Sequence, residues 1–113
     1  MLGSKFDTKR VVEIADDCVE KSAGDYAGLW EISTRVRRTF ASLSNEDVKR
    51  LSFEVVRLIV KRGLRPGDYL QTGFKYWTED PEKIIARIDR EWDPKRGDPT
   101  LFESICWFDQ PKA

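Results

Sequence analysis

The feature that most constrains the fold is a helical apolar period that recurs in three successive segments, residues 6–22, 25–43 and 44–62. Apolar side chains three or four residues apart lie on one face of a helix, so each segment predicts an amphipathic helix. Asp7 or Thr8 is a candidate cap for the first helix, and Gly24 ends it. The three amphipathic helices together predict a packed three-helix core. The predicted buried stripes are Val11, Val12, Ala15, Cys18, Val19 and Ser22, then Leu29, Ile32, Val36, Phe40 and Leu43, then Val48, Leu51, Val55, Leu58 and Ile59.

Two residues locate the starts of the second and third helices. Ser44, with Asp47 three residues later, approximates a capping box and predicts a helix that runs to about Arg62. Gly28 costs about 1 kcal/mol relative to alanine inside a helix. The second helix therefore either begins near Gly28 or keeps this glycine for a close backbone contact.

The second half of the chain alternates turns, aromatic segments and one short helix. Residues 65–68, Arg-Pro-Gly-Asp, predict a turn, and the aromatic residues from Tyr69 to Trp77 predict an extended segment. Asp80 and Pro81 are typical of a helix start, and Ile84, Ile85, Ile88 and Trp92 would form its apolar face. Ser104 to Phe108 is a second β-prone segment.

These elements predict a mainly α protein on the border of the α+β class. It would have a three-helix core and a fourth short helix flanked by two aromatic extended segments. The two segments are expected to pair as a small hairpin-like sheet against the helices, because two strands alone are marginally stable. The chain of 113 residues has no repeat or linker and is predicted to be one domain, residues 1–113.

Composition excludes several kinds of chemistry. The chain has no histidine, which removes serine–histidine and cysteine–histidine nucleophilic sites and histidine-ligated metals. Cys18 and Cys106 are far apart in sequence and sit in apolar patterns, so free buried thiols are expected, with a disulfide as the open alternative. No signal segment and no membrane span is evident, which predicts a cytoplasmic protein. No cofactor and no metal is expected.

The first helix carries an acidic stripe opposite its apolar face. Such a stripe is typical of the solvated side of an amphipathic helix. It is alternatively a surface for a protein partner that recognises carboxylates, or a cation site, although the ligand spacing of a calcium loop is missing. The acidic stripe consists of Glu13, Asp16, Asp17 and Glu20.

Charge along the chain is uneven although the net charge is zero. Residues 25–66 carry an excess of basic side chains, and residues 67–113 carry an excess of acidic ones. The arginines at positions 35, 37 and 38 are candidates for phosphate contacts, together with basic residues of the third helix. The alternative is an ion-paired, solvated surface. This basic cluster consists of Arg35, Arg37 and Arg38.

The aromatic residues of the second half fit either a core or an interface. Large aromatics anchor cores, and they also dominate protein-binding hot spots. If one stretch is exposed, we expect it near the segment ends, at Phe74 and Trp77 or at Trp107 and Phe108. The carboxylates nearby, from Glu79 to Glu103, form no recognisable catalytic pair, so an enzyme that uses them or a tyrosine such as Tyr76 is the third hypothesis.

The stretch over residues 25–109 resembles small uncharacterised bacterial domains. The resemblance lies in AGLWEI, in a helix that ends at Arg62-Gly63-Leu64, in the W-x-x-x-P-E entry from Trp77 to Glu82, and in the closing ICWF from Ile105 to Phe108. Some of those domains are regarded as immunity or accessory proteins for secreted polymorphic toxins. The resemblance implies a cytoplasmic, non-enzymatic binding module and supplies no catalytic residues.

These observations favour a small bacterial protein that acts by binding another protein, in the manner of an immunity protein. A nucleic-acid-associated accessory protein is the alternative, and a carboxylate enzyme is the third hypothesis. No membrane partner is expected, and the oligomeric state is open, a homodimer included.

Overall fold

The chain combines helices with one antiparallel sheet; the computed structural model describes residues 8–111. The helices are α1 (Thr8–Ser22), α2 (Leu29–Thr39), α3 (Asn45–Lys61) and α4 (Pro81–Glu91). The strands are β1 (Ala27–Gly28), β2 (Arg65–Leu70), β3 (Gly73–Tyr76) and β4 (Trp107–Asp109). The protein is therefore mixed α+β. The candidate cap Asp7 lies outside the described residues.

The predicted helix starts are confirmed at three positions. Ser44 Oγ accepts a hydrogen bond from the Asp47 N–H at 3.1 Å, and Asp80 Oδ1 accepts one from the Lys83 N–H at 3.1 Å. Gly28 directly precedes α2, and its N–H donates to the Glu31 carboxylate at 3.1 Å. In each case a side-chain oxygen accepts from a backbone N–H at the start of the helix, where no helical carbonyl is available as a partner.

The core lies where α1 and α2 pack on α3, and α4 covers another side of α3. Ile84, Ile85, Ile88 and Trp92 are buried, as their period predicts. The prediction for Val12 is wrong: this side chain is 40% exposed, and Ile14 is buried instead. The reason is rotational, because the face of α1 that meets its neighbours is centred on Val11, Ile14 and Ala15.

The four strands form one antiparallel sheet in the order β1-β4-β2-β3. Ala27 lies opposite Phe108, and Phe108 lies opposite Pro66. Directly opposed residues point to the same side of a sheet. These three residues are buried and form the inner side, which packs on the helices.

The prediction of a turn at residues 65–68 is wrong, because these residues belong to β2, a central strand. Proline is tolerated there because of its position in the ladder. Pro66 C=O accepts from the Trp77 N–H at 2.9 Å, just beyond the end of β3. An N–H at position 66 would bond only to Trp77, so the proline removes one hydrogen bond at the very end of the β2–β3 ladder. Turn-forming residue types are thus held extended by strands on both sides.

The expected pairing of the two aromatic segments is corrected in detail. Residues 69–77 are not one strand, since the chain reverses at Gln71-Thr72 and Gly73 adopts a positive φ of 123°. The resulting two-residue hairpin joins β2 to β3. The terminal strand β4 pairs with Arg65, Pro66 and Gly67 of β2, and with β1 on its other side.

Among residues 8–111, no helix combines the length and apolar character that crossing a membrane requires.

Candidate interaction face of the sheet

The outer side of the sheet is rich in aromatic residues. Trp107, Gly67 and Tyr76 lie directly opposite one another on neighbouring strands, and Tyr69 lies opposite Phe74 in the next row on the same side. This is the side opposite to Phe108, because consecutive residues of a strand point in opposite directions. Tyr26, just before β1, adds a fifth ring. We call this surface the aromatic face: Tyr26, Tyr69, Phe74, Tyr76 and Trp107.

Two glycines, which have no side chain, leave room for the rings of the aromatic face. A Cβ atom added to Gly67 would be 2.5 Å from Phe74 Cε1 and would also meet the Lys75 carbonyl oxygen. The Phe74 ring therefore covers the backbone of the central strand. A Cβ atom on Gly28 would be 2.5 Å from Trp30 Cδ1 and 2.9 Å from Trp107 Cζ3.

The rings of the aromatic face contact one another. Tyr26 stacks on Phe74 with centroids 4.7 Å apart and planes 5° apart, and it meets Tyr69 edge-on at 4.9 Å. Tyr69 lies 6.1 Å from Trp107, and Phe74 lies 5.0 Å from Tyr76. Offset and edge-to-face contacts of this kind stabilise ring pairs beyond their buried area. The five rings thus form one continuous layer.

Two rings of the layer are open to solvent. Tyr69 is 60% exposed and Tyr76 39%, whereas Phe74 and Trp107 are half-buried. Two residues that the sequence suggested for a partner surface are corrected: Trp77 and Phe108 are buried. Phe108 points to the inner side of the sheet, and Trp77 lies beneath the Arg87 guanidinium, 3.6 Å from the ring centroid.

One hydrogen bond fixes the tyrosine at the edge of the face. The Tyr76 hydroxyl donates to the Asp109 carboxylate, across β2. This hydrogen bond, with a smaller contribution from burial, raises the pKa of Tyr76 to about 12. The phenol is thus further from ionising at neutral pH than an ordinary tyrosine.

The acidic stripe is divided between ion pairs and solvent. Asp16 pairs with Arg62, which directly follows α3, and Asp17 pairs with Arg35 of α2 at 2.6 Å. Glu13 and Glu20 are exposed. Half of the stripe thus ties α1 to its neighbours. Over residues 8–111, no group of three acidic or cysteine side chains is placed to hold a metal ion.

The basic cluster is dispersed around α2, because residues two positions apart point to different sides of a helix. Arg37 binds Asp98 through two hydrogen bonds of 2.7 and 3.1 Å and also donates to Asn45 at 2.8 Å. The contact with Asp98 raises the pKa of Arg37 further above its usual range. Arg35 and Arg38 instead line a cleft of about 270 Å³ between α1 and α2.

The carboxylates of the second half have structural contacts in most cases. Glu79 and Glu91 pair with Arg87 at 3.4 and 3.3 Å, and Asp93 accepts from the Lys95 N–H at 3.0 Å. Glu91 and Asp93 also line a cleft of about 410 Å³. These contacts give the carboxylates helix-capping and ion-pairing roles.

Both cysteines are free thiols, as expected. Burial raises the pKa of Cys18 to about 11, and burial raises the pKa of Cys106 well above its usual value. Since the thiolate is the nucleophile, neither thiol is activated at neutral pH.

The sequence singled out Phe74 and Trp107 of the aromatic face for partner binding but did not place Tyr26 or Tyr69 there. Residues 65–70 contain no strict alternation of polar and apolar residues that would have indicated a strand. In comparisons with protein-family models, with curated proteins and with solved structures, nothing matches this chain.

Proposed function

We propose that the protein binds another protein through the aromatic face. The observation that carries this proposal is the exposure of Tyr69, which stands 60% open to solvent between the rings of Tyr26 and Trp107. Tyrosine and tryptophan are enriched among the residues that contribute most to protein–protein binding. The resemblance to toxin-immunity domains stays a prediction, and the identity of the bound protein tests it.

The arrangement of the rings favours binding in two ways. Tyr26, Phe74 and Trp107 are held by their ring contacts, so few side-chain rotamers remain to be ordered when a partner binds. The paired strand positions of the face also include only one acidic and one basic side chain, Asp109 and Arg65. Depletion of charge at the centre is typical of protein interfaces.

A nucleic-acid partner has less support. Phosphate binding depends on several accessible cations along one surface. Arg37 is already bound to Asp98, and Arg35 is bound to Asp17. Arg65 is the one cation in the paired rows of the aromatic face. The proposal therefore names a protein, and binding to single-stranded nucleic acid is an outcome of the test.

The test is affinity capture with two matched baits. Tyr69→Asp places a charge in the centre of the aromatic face, and Val12→Asp places the same charge on α1 at a side chain that is 40% exposed. We expect a protein that is retained by wild type and by Val12→Asp and is lost with Tyr69→Asp. Equal recovery on both variants, nucleic acid in place of protein, or no retained protein would count against the proposal.

A further inference from the structure

A second exposed apolar feature lies away from the aromatic face, on a turn before β4. Residues 100–103 close this turn with two backbone hydrogen bonds: Thr100 N–H donates to Glu103 C=O at 3.2 Å, and Glu103 N–H donates to Thr100 C=O at 3.1 Å. The turn presents Leu101, 50% exposed, and Phe102, 93% exposed. Phe102 therefore makes almost no contact with its own chain.

The turn is fixed at both ends. Before it, Asp98 is held by the two hydrogen bonds from Arg37. After it, the buried Ser104 donates to the Cys106 C=O at 2.9 Å and accepts from the Trp30 N–H at 3.3 Å. Ile105 has a positive φ of 71°, which is unusual and costly for a β-branched residue. Strain of this kind persists only where the surroundings enforce it. The Phe102 side chain is thus presented by an ordered loop.

A cleft of matching chemistry lies between α3 and α4. Its volume is about 280 Å³, and its apolar lining comes from Val56, Val60, Pro81 and Ile85. Sites for cofactors and drug-sized ligands occupy roughly 300–1,000 Å³. This cleft is at the lower end of that range, and its apolar lining suits an apolar side chain.

The charges beside the two features are complementary. Arg57 and Lys61 line the cleft and are exposed, and neither has an ion-pair partner among the residues the structure describes. Glu82 is the one acidic residue of the lining, so the cleft carries an excess of positive charge. On the turn, the neighbour of Phe102 is the exposed Glu103. A chain that inserts Phe102 would bring Glu103 to the basic rim.

We propose that the turn at residues 100–103 of one copy of this protein seats Phe102 in the α3–α4 cleft of a second copy, with Glu103 beside Arg57 and Lys61. A single contact of this kind joins two different surfaces and is head-to-tail, so a dimer retains a free cleft on one copy and a free turn on the other. Association through one small apolar contact is weak, and it is observable only at high protein concentration.

Sedimentation equilibrium tests this association. We expect the weight-average mass of the wild type to rise past that of a dimer as concentration increases, because each added copy offers a new cleft. Phe102→Asp should weaken association by about tenfold or more, since it removes the central anchor. Tyr69→Ala alters the other surface and should leave the association unchanged. A wild type that stays monomeric throughout, or a Phe102→Asp protein that associates like the wild type, would overturn the proposal.

Mixing two defective variants tests whether the turn of one copy binds the cleft of another. Phe102→Asp lacks the anchor but keeps the cleft, and the double variant Arg57→Glu, Lys61→Glu keeps the anchor but has a reversed rim. Each should be monomeric alone, and an equimolar mixture should form a one-to-one dimer and nothing larger. All three substitutions lie at exposed positions, and a thermal melt confirms that both variants are folded. A mixture that stays monomeric would refute the head-to-tail contact.

Discussion

Tyr26 stacks on Phe74 across the whole width of the sheet. The ring centroids are 4.7 Å apart and the planes are 5° apart, although Tyr26 adjoins β1 at one edge and Phe74 belongs to β3 at the other. The pair therefore links the hairpin of β2 and β3 to the segment that leads into α2. It also closes the aromatic face into a single layer.

We expect this pair to contribute to stability beyond the burial of each ring. In a double-mutant cycle with Tyr26→Ala and Phe74→Ala, the coupling energy should be about 0.5–1.5 kcal/mol, as for other aromatic pairs. Urea denaturation of the four proteins gives this value. Val12→Ala combined with Phe74→Ala is the control and should be additive within about 0.5 kcal/mol. Additivity of the ring pair as well would contradict the stacking.

Gly67 should not tolerate a side chain. A Cβ atom there meets the Lys75 carbonyl oxygen as well as the Phe74 ring, and the carbonyl belongs to the β2–β3 ladder. Gly67→Ala is therefore expected to reduce the free energy of unfolding by about 1–3 kcal/mol. Gly24→Ala is the matched control, because no atom lies within 4 Å of its Cβ position. Equal free energies of unfolding for Gly67→Ala and Gly24→Ala would show that β2 and β3 accommodate the added Cβ atom, which would contradict this close contact.

Two buried serines should respond differently to the same substitution. Ser52 lies in α3 with a buried hydroxyl that has no hydrogen-bond partner within residues 8–111, whereas the Ser33 hydroxyl donates to the Trp30 C=O at 3.0 Å. Ser52→Ala removes an unsatisfied polar group and should be more stable than Ser33→Ala by about 1 kcal/mol. Chemical denaturation measures the difference, and the reverse order would be inconsistent with these contacts.

The sequence predicted the helices better than the sheet. Ser44 and Asp80 cap their helices through contacts three residues away, so local pattern was sufficient. The strand β2 was missed because Pro66 and Gly67 are typical turn residues. They are held extended by β3 on one side and, on the other, by the ladder with β4, about 40 residues later. That pairing is non-local, and no local propensity encodes it.

The aromatic face was likewise predicted only in part. Phe74 and Trp107 were identified from their chemistry, but Trp77 and Phe108 could not be separated from them without knowing which side of the sheet each one faces. Tyr26 lies in the segment predicted as the second helix, residues 25–43, and not in a predicted strand. Arg37 faces a different side of α2 from Arg35 and Arg38, since successive residues of a helix are rotated by about 100°.

Stability should depend on Tyr76 at alkaline pH. The Asp109 carboxylate raises the pKa of Tyr76 from 10.0 to about 12 in the folded protein. Between these values the unfolded chain has released the proton and the folded chain still holds it, so stability falls as pH rises through this window. Below pH 10 the contribution is fully present. Asp109→Asn should lower the pKa of Tyr76 toward its usual value and reduce this loss.

Phenolate absorbance at alkaline pH provides the measurement. The wild type should show one tyrosine that ionises last, and Tyr76→Phe should remove that step. Tyr69→Phe is the control and should leave it in place. If Tyr76→Phe and Asp109→Asn both leave the titration unchanged, the hydrogen bond is absent in solution.

The affinity of the captured partner for matched variants tests the central claim most directly. The dissociation constants of wild type, Val12→Asp and Tyr69→Asp are compared by calorimetry. Loss of a hot-spot tyrosine costs about 2 kcal/mol or more, so binding to Tyr69→Asp should be weaker by about 30-fold or more. Val12→Asp should bind like the wild type. Equal dissociation constants for all three proteins would show that the partner binds elsewhere and would contradict a role for the aromatic face.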